Sequence, residues 1–227
     1  MRLILLRICV LLAGAFLPRV AYAGEAVCAG LPAPVIDVKL SYGEVAFDTK
    51  RSMDELAGLR IDTASPWPEA YHTGVGGVMQ GAISANHNIR FNRARDVKTG
   101  RGCVWFDRVE VTLRLDPKIY IARDLQNKEC WFREVFAHEA KHIEEDRALL
   151  EKYRRVFAQA LTFAFADTRD YAVGPIGASG MDTVRDYLEN NVVDAVGGLM
   201  NRLMRERAQR QQGIDSIGEY IQISRRC

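Results

Sequence analysis

Residues 102–115 read GCVWFDRVEVTLRL, and the second half of this stretch decides how the chain begins to fold. Val109, Val111 and Leu113 fall on one side of an extended backbone while Arg108, Glu110 and Thr112 fall on the other. That period of two marks a strand with one buried and one wet face. Working back from it, residues 35–47, VIDVKLSYGEVAF, alternate in the same way, residues 82–93 can form another strand, and residues 118–122 add a short edge strand. Between the first strands and the rest, Ser52 stands three residues before Glu55, the spacing of a capping box for a short helix ending near Leu59. Residues 62–77 hold two prolines and three glycines and read as loop.

Past Cys130 the period changes. Phe132, Val135, Phe136, Ile143, Leu149, Leu150, Tyr153, Val156, Phe157, Ala160 and Leu161 recur at threes and fours, which predicts one long amphipathic helix to about Phe165. Gly174, Pro175, Gly177 and Gly180 interrupt it. A second helix is expected from Asp182, with Val184, Leu188, Val192, Val196, Leu199 and Leu203 as its apolar stripe, and Gly197-Gly198 permits close packing at some cost in propensity. The expected class is therefore α+β: an antiparallel sheet in the N-terminal half, followed by a long two-helix hairpin.

The start of the chain has the marks of an export signal. Arg2 and Arg7 make it positive, residues 8–17 are apolar, and Ala21-Tyr22-Ala23 resembles a small-residue cleavage site, so residues 1–23 are read as a signal peptide and 24–227 as a single domain. Removing 1–23 takes away three arginines and no acids, lowering Lys+Arg from 31 to 28 against 29 Asp+Glu, a net charge of −1 in place of +2. That balance gives no reason to expect nucleic acid as a partner, and no later segment is apolar enough for a transmembrane segment. The expected location is periplasmic or extracellular. About 200 residues suffice for one real core.

Cysteine use agrees. Cys9 leaves with the signal, and Cys28, Cys103, Cys130 and Cys227 remain, an even number suited to an oxidising compartment. The expected pairs are Cys103–Cys130, tying a strand to the start of the long helix, and Cys28–Cys227, joining the ends.

The long helix carries the chemistry. The chain has only four histidines, and two of them bracket a glutamate in His138-Glu139-Ala140-Lys141-His142. Residues four apart stand one above the other on a helix, so two imidazoles can grip one cation with nitrogen contacts near about 2.0–2.1 Å. Glu139, offset by one position, lies beside the open coordination site as a base for bound water, which zinc would bring to a pKa of about 7. The opposing reading is two buried structural histidines. His142 and Leu149 are seven apart, so the pair prolongs the apolar stripe and faces inward, where a metal site belongs.

The motif resembles that of the zincin metallopeptidases. More narrowly, the pattern over about residues 35–220 resembles a bacterial domain family of unknown function described as secreted zinc-dependent proteases. The resemblance is carried by the early alternating strands, the Gly102-Cys103-Val104 strand start, and the helix with His138, Glu139 and His142. It implies a Zn2+ cofactor, Glu139 as general base, and a peptide or protein substrate. Members usually read H-E-E-G-H, whereas Ala140 and Lys141 fill the variable positions here. They often close with Y-D-x-x-T-x-H-G; aligned on Asp215, that histidine's place is taken by Tyr220, with Glu219 beside it.

The third metal ligand is not supplied by the motif, since Ile143-Glu144-Glu145-Asp146 follows it. Glu145 shares the histidines' face but starts about 7.5 Å along the axis from the middle of the pair, and is expected to support rather than ligate. If the two helices form an antiparallel hairpin, the end of the second returns to the level of the histidines. Glu219 is then the expected third ligand, with Asp215, Glu206 and Glu189 as alternatives, each of which reads by default as a solvated carboxylate. Tyr220 is either an oxyanion donor or a packing residue.

Other stretches carry less. Gly74-Val75-Gly76-Gly77 lacks the Lys-Ser/Thr ending of a phosphate loop. Arg202, Arg205, Arg207 and Arg210 read as a solvated basic face. His72 and His87 have no ligand spacing to anything, and Trp105, Trp131 and Tyr153 read as core. Two functions follow as expectations: a zinc peptidase of the cell envelope or exterior, or a non-catalytic, metal-stabilised envelope or binding domain.

Overall fold

A computed structural model describes residues 28–61, 63–67 and 74–227. The proposed signal segment 1–23, Cys9, Asp62 and His72 lie outside the described residues.

One strand organises the sheet. Strand β1 spans Val35–Tyr42 and β2 spans Ala46–Asp48; after the short helix α1, Met53–Ala57, come β3, Gly77–Arg95, and β4, Gly102–Ile121. A further strand, β5, spans Ala172–Ile176, and every other strand in the sheet pairs with β4. The expectation of an antiparallel sheet is corrected here. β1 lies parallel to β4, with Val35 opposite Arg108 and Tyr42 opposite Leu115, and β2 continues along the same side, also parallel, with Ala46 opposite Lys118. Among the described residues only β3 and β5 are antiparallel to β4. Alternating residues report which face is buried, not which way a strand runs, and direction is set by the connection. Between β1 and β4 the chain passes through β2, α1 and the whole of β3, long enough for a parallel crossover.

Two other differences have plain causes. The edge strand expected at 118–122 is the continuation of β4, because Pro117 is accommodated opposite Gly81 and pairing runs on to Ile121. The cysteines pair as Cys28–Cys103 and Cys130–Cys227, not as expected. With β4 unbroken, Cys103 stands about 60 Å of strand from Ile121 and so far from Cys130.

The helical half closes over one sheet face. α2, Glu129–Ala164, is 36 residues long and lies across β1, β4 and β3. The short α3, Thr168–Tyr171, leads into β5. α4, Met181–Ile214, then packs on α2, and α5, Ile217–Arg226, follows after a brief turn. Val109, Val111, Leu113 and Leu115 of β4 and Leu149, Leu150, Phe157 and Leu161 of α2 are fully buried in one core, each contributing roughly 1.5–3 kcal/mol through burial. α2 and α4 run antiparallel: Lys152 bonds Glu206, Asp146 bonds Arg207, and Gln211 bonds His142. The capping box at α1 forms with both its hydrogen bonds, Glu55 N–H to Ser52 Oγ at 3.2 Å and Ser52 N–H to Glu55 Oε2 at 2.6 Å. No helix among the described residues is long and apolar enough to cross a membrane.

Candidate metal centre

Two parts of the helical half meet around His138. α2 supplies His138, Glu139 and His142, all less than a tenth exposed, and the turn between α4 and α5 supplies Asp215. His138 Nε2 is 3.0 Å from Asp215 Oδ1, His142 Nε2 is 3.3 Å from the same oxygen, and the two Nε2 atoms are 3.4 Å apart. These separations match the edge of a tetrahedron with bonds of about 2.0–2.1 Å, which is roughly 3.3 Å. His138, His142 and Asp215 thus form a buried group that could hold a metal ion.

The donor chemistry fits as well as the spacing. His142 Nδ1 faces Gln211 Oε1 in a short hydrogen bond. An amide oxygen only accepts, so Nδ1 carries a proton, and in the neutral ring the lone pair lies on Nε2. That lone pair, the Asp215 carboxylate and His138 Nε2 converge with no room between them for anything but a proton or a small cation. His138 Nδ1 is buried and makes no hydrogen bond among the described residues; Glu219 Oε1 stands 3.7 Å from it. Histidines that ligate metals commonly turn their second nitrogen toward a carboxylate in this way.

The structure therefore brings Asp215, rather than Glu219, to the two Nε2 atoms. Glu219 sits behind His138, paired with Lys141, and Ser216 Oγ accepts from its backbone N–H at 3.3 Å. Ser216-Ile217-Gly218-Glu219 is the S-x-x-E start of α5, a signal that places Glu219 on the first helical turn and Asp215 just ahead of the cap. Glu206 is bound to Lys152, Tyr153 and Arg210, and Glu189 lies about 33 Å of helix away from Gln211. Glu145 does not support the site but bonds Arg210 at 2.6 Å.

Three supporting residues escaped the sequence reading. Asp146, four after His142, is fully buried, and Arg207 and Gln211 are nearly so. Arg207 grips Asp146 with its Nε at 2.7 Å and a terminal nitrogen at 2.9 Å. Gln211 donates through Nε2 to Asp146 Oδ1 at 2.7 Å and to the His142 carbonyl at 3.1 Å. The solvated basic face thus contains one deeply buried arginine. The signal was present: 138, 142 and 146 step by four along α2, and 207, 211 and 215 step by four along the returning chain.

Glu139 occupies a different environment. Burial pushes its carboxyl up to about 7, against the pull of His138 and His142 and of the Met79 amide that hydrogen-bonds it. Gly77 makes this approach of β3 possible, because a Cβ there would stand 2.8 Å from Glu139 Oε1 and 2.5 Å from Val135 Cγ1. Burial opposes ionisation of Asp215, but hydrogen bonds from His138, His142 and Thr63 hold its carboxyl well below the usual range. For His142, burial disfavours the charged ring, yet Asp215 and Glu139 outweigh it and raise its pKa. Tyr220 donates its hydroxyl to Asp215 Oδ1 at 2.9 Å, and burial together with the Asp215 charge raises the phenol, so it stays a donor to a candidate ligand.

The group opens into a cavity of about 280 Å³ whose walls include Met53, Leu125, Trp131, Val135, Tyr220 and Ile223. Trp131, expected in the core, is part of this wall, and so are Gly74, Val75, Gly76 and Gly77. Thr63–Trp67 line it too, tied to α4 by Gln212, which accepts from Ala64 N–H at 2.8 Å and donates to the Ala64 carbonyl at 3.1 Å. His87 lies in β3 opposite Val111 and belongs to no metal group among the described residues. Comparison of the chain with protein-family models, with curated proteins and with solved structures finds no match.

Proposed function

We propose that the protein is an exported zinc-dependent peptidase in which His138, His142 and Asp215 hold the cation and Glu139 is the general base. The observation that carries this reading is Glu139: a buried carboxylate with a proton affinity poised near neutrality, next in sequence to one imidazole of the three-atom group and lining the same cavity. A structural cation would need no such neighbour. When bound, zinc polarises a carbonyl and acidifies water at its open position. Glu139, buried beside His138 and lining the same cavity, is placed to take a proton from attacking water and return it to the departing amine. The Met79 amide orients it. Tyr220 and Thr63 hold Asp215, so the oxyanion role considered for Tyr220 gives way to fixing a ligand.

The substrate class follows from β3. Among the described residues this strand pairs only with β4, so its other edge carries unpaired backbone groups beside the Glu139 partner Met79. An extended peptide can add to such an edge, and the apolar cavity walls accommodate a hydrophobic side chain. The disulfides are compatible with the export that the first 23 residues suggest, as is the finding that no helix among the described residues is long and apolar enough to cross a membrane.

The roof formed by Thr63–Trp67 favours one rival, a closed, non-catalytic metal-stabilised domain. Glu139→Gln separates the two. The peptidase reading expects zinc content unchanged and hydrolysis of an unfolded protein substrate reduced by at least about 100-fold. Equal turnover in both proteins would remove Glu139 as the base, and no turnover in either, with zinc retained, would leave the rival.

A further inference from the structure

We infer that Gln211, held by Asp146 and Arg207, is the positioning residue of the site, fixing His142 in the tautomer that offers Nε2 to a cation. The inference rests on reading His138, His142 and Asp215 as a cation site, but not on hydrolysis.

A neutral imidazole can carry its proton on either nitrogen, and only one choice leaves the lone pair facing Asp215. The two tautomers are close in energy in water, so the choice must come from what the other nitrogen meets. A glutamine alone cannot make it: rotated by half a turn, its amide would present a donor and select the opposite tautomer. In this chain that rotation is blocked. Gln211 Nε2 donates to Asp146 Oδ1 at 2.7 Å and to the His142 carbonyl at 3.1 Å, two acceptors that an amide oxygen could not face. Oε1 is therefore the atom left for His142 Nδ1.

Asp146 holds this orientation because it is an acceptor only and cannot itself turn away. Arg207 grips both its carboxylate oxygens, and Asp146 is completely buried. Gly81 leaves room for the pair; a Cβ there would lie 2.5 Å from Asp146 Oδ2 and 3.0 Å from an Arg207 terminal nitrogen. The chain of consequence runs from a salt bridge between α2 and α4, through one amide, to one lone pair. Its use of an amide rather than a carboxylate keeps the ring's support neutral, with the countercharge already matched by Arg207. His138 is held more loosely: among the described residues its Nδ1 makes no hydrogen bond and Glu219 Oε1 stands 3.7 Å away, so the two rings are prepared for a cation to different degrees.

The experiment has two readouts. In the metal-free wild-type protein, long-range proton–nitrogen correlation spectra of the histidine rings, taken in the alkaline range where imidazoles are neutral, should show His142 protonated at Nδ1. Zinc affinity, measured by competition with a chelating dye, should fall about 10–100-fold in Gln211→Met. Gln211→Glu should restore it, because a protonated carboxyl both donates to Asp146 and accepts from Nδ1–H. Protonation of His142 at Nε2 in the wild type would overturn the inference, as would a Gln211→Met protein that folds and binds zinc within about twofold of wild type. A wild-type protein that binds no zinc would instead sink the proposed function, while the tautomer would still decide this point.

Discussion

His138 Nε2 stands 3.0 Å from Asp215 Oδ1, although 77 positions separate the two residues in the chain. The contact exists because α4 returns antiparallel to α2 and ends level with the histidines. Asp215→Ala should therefore weaken zinc binding by more than the about 100-fold that marks the upper range for supporting residues. Titration calorimetry checks this, with Glu206→Ala as the control that should leave affinity unchanged.

Zinc should stabilise the fold. A cation that binds only the native chain adds about 2.7 kcal/mol at a free concentration 100 times its dissociation constant. For a domain of this size that corresponds to a rise in Tm of about 5–10 °C. A chelator should reverse the rise in the wild type, and His142→Ala should show none of it. Differential scanning calorimetry is the measurement.

The metal-free protein should lose stability as pH rises through the weakly acidic range. Glu139 moves from an ordinary 4.5 to about 7 on folding, so between these values the native state binds more protons than the unfolded one. Stability is then full below pH 4.5 and falls until about pH 7, by about 3 kcal/mol for this group. Glu139→Gln abolishes that slope, so the variant should be the more stable protein above neutrality and match the wild type in acid. Denaturant melts of both proteins across the range, in chelator, test the sign as well as the size.

Cys130–Cys227 should matter to the site although neither cysteine touches it. The bond closes a loop of 97 residues, worth roughly 3–5 kcal/mol by chain entropy. It fastens α5, which carries Glu219 and Tyr220, to the start of α2, beside the Arg226–Glu134 contact at 2.8 Å. Cys130→Ser with Cys227→Ser should lower stability by that order and also weaken zinc binding, since Tyr220 braces Asp215. Loss of stability with undiminished affinity would show that Ser216 and the end of α4 hold the turn unaided.

Much of this was written in local patterns. The alternation at 109–113 marked the buried face of β4, the three-four recurrence after Phe132 marked α2, and Ser52 with Glu55 marked α1. His138, Glu139 and His142 were legible because one helical turn brings them together without help from the rest of the fold. What local pattern could not hold was anything decided by return paths. The parallel placing of β1 depends on an excursion of some sixty residues before β4. The choice of Asp215 over Glu219 depends on where α4 stops and α5 is capped. Asp146, Arg207 and Gln211 look like ordinary surface residues until two helices are laid side by side, and only then does their spacing by four become a single buried run.

The most direct test is zinc-edge X-ray absorption on the wild-type protein loaded with one equivalent of metal. The expected spectrum has two imidazole nitrogens and a carboxylate oxygen at about 2.0–2.1 Å, and the imidazole signature should weaken in His138→Ala. A first shell of sulfur, or of oxygen alone without ring scattering, would contradict the assignment of His138, His142 and Asp215 as the ligands.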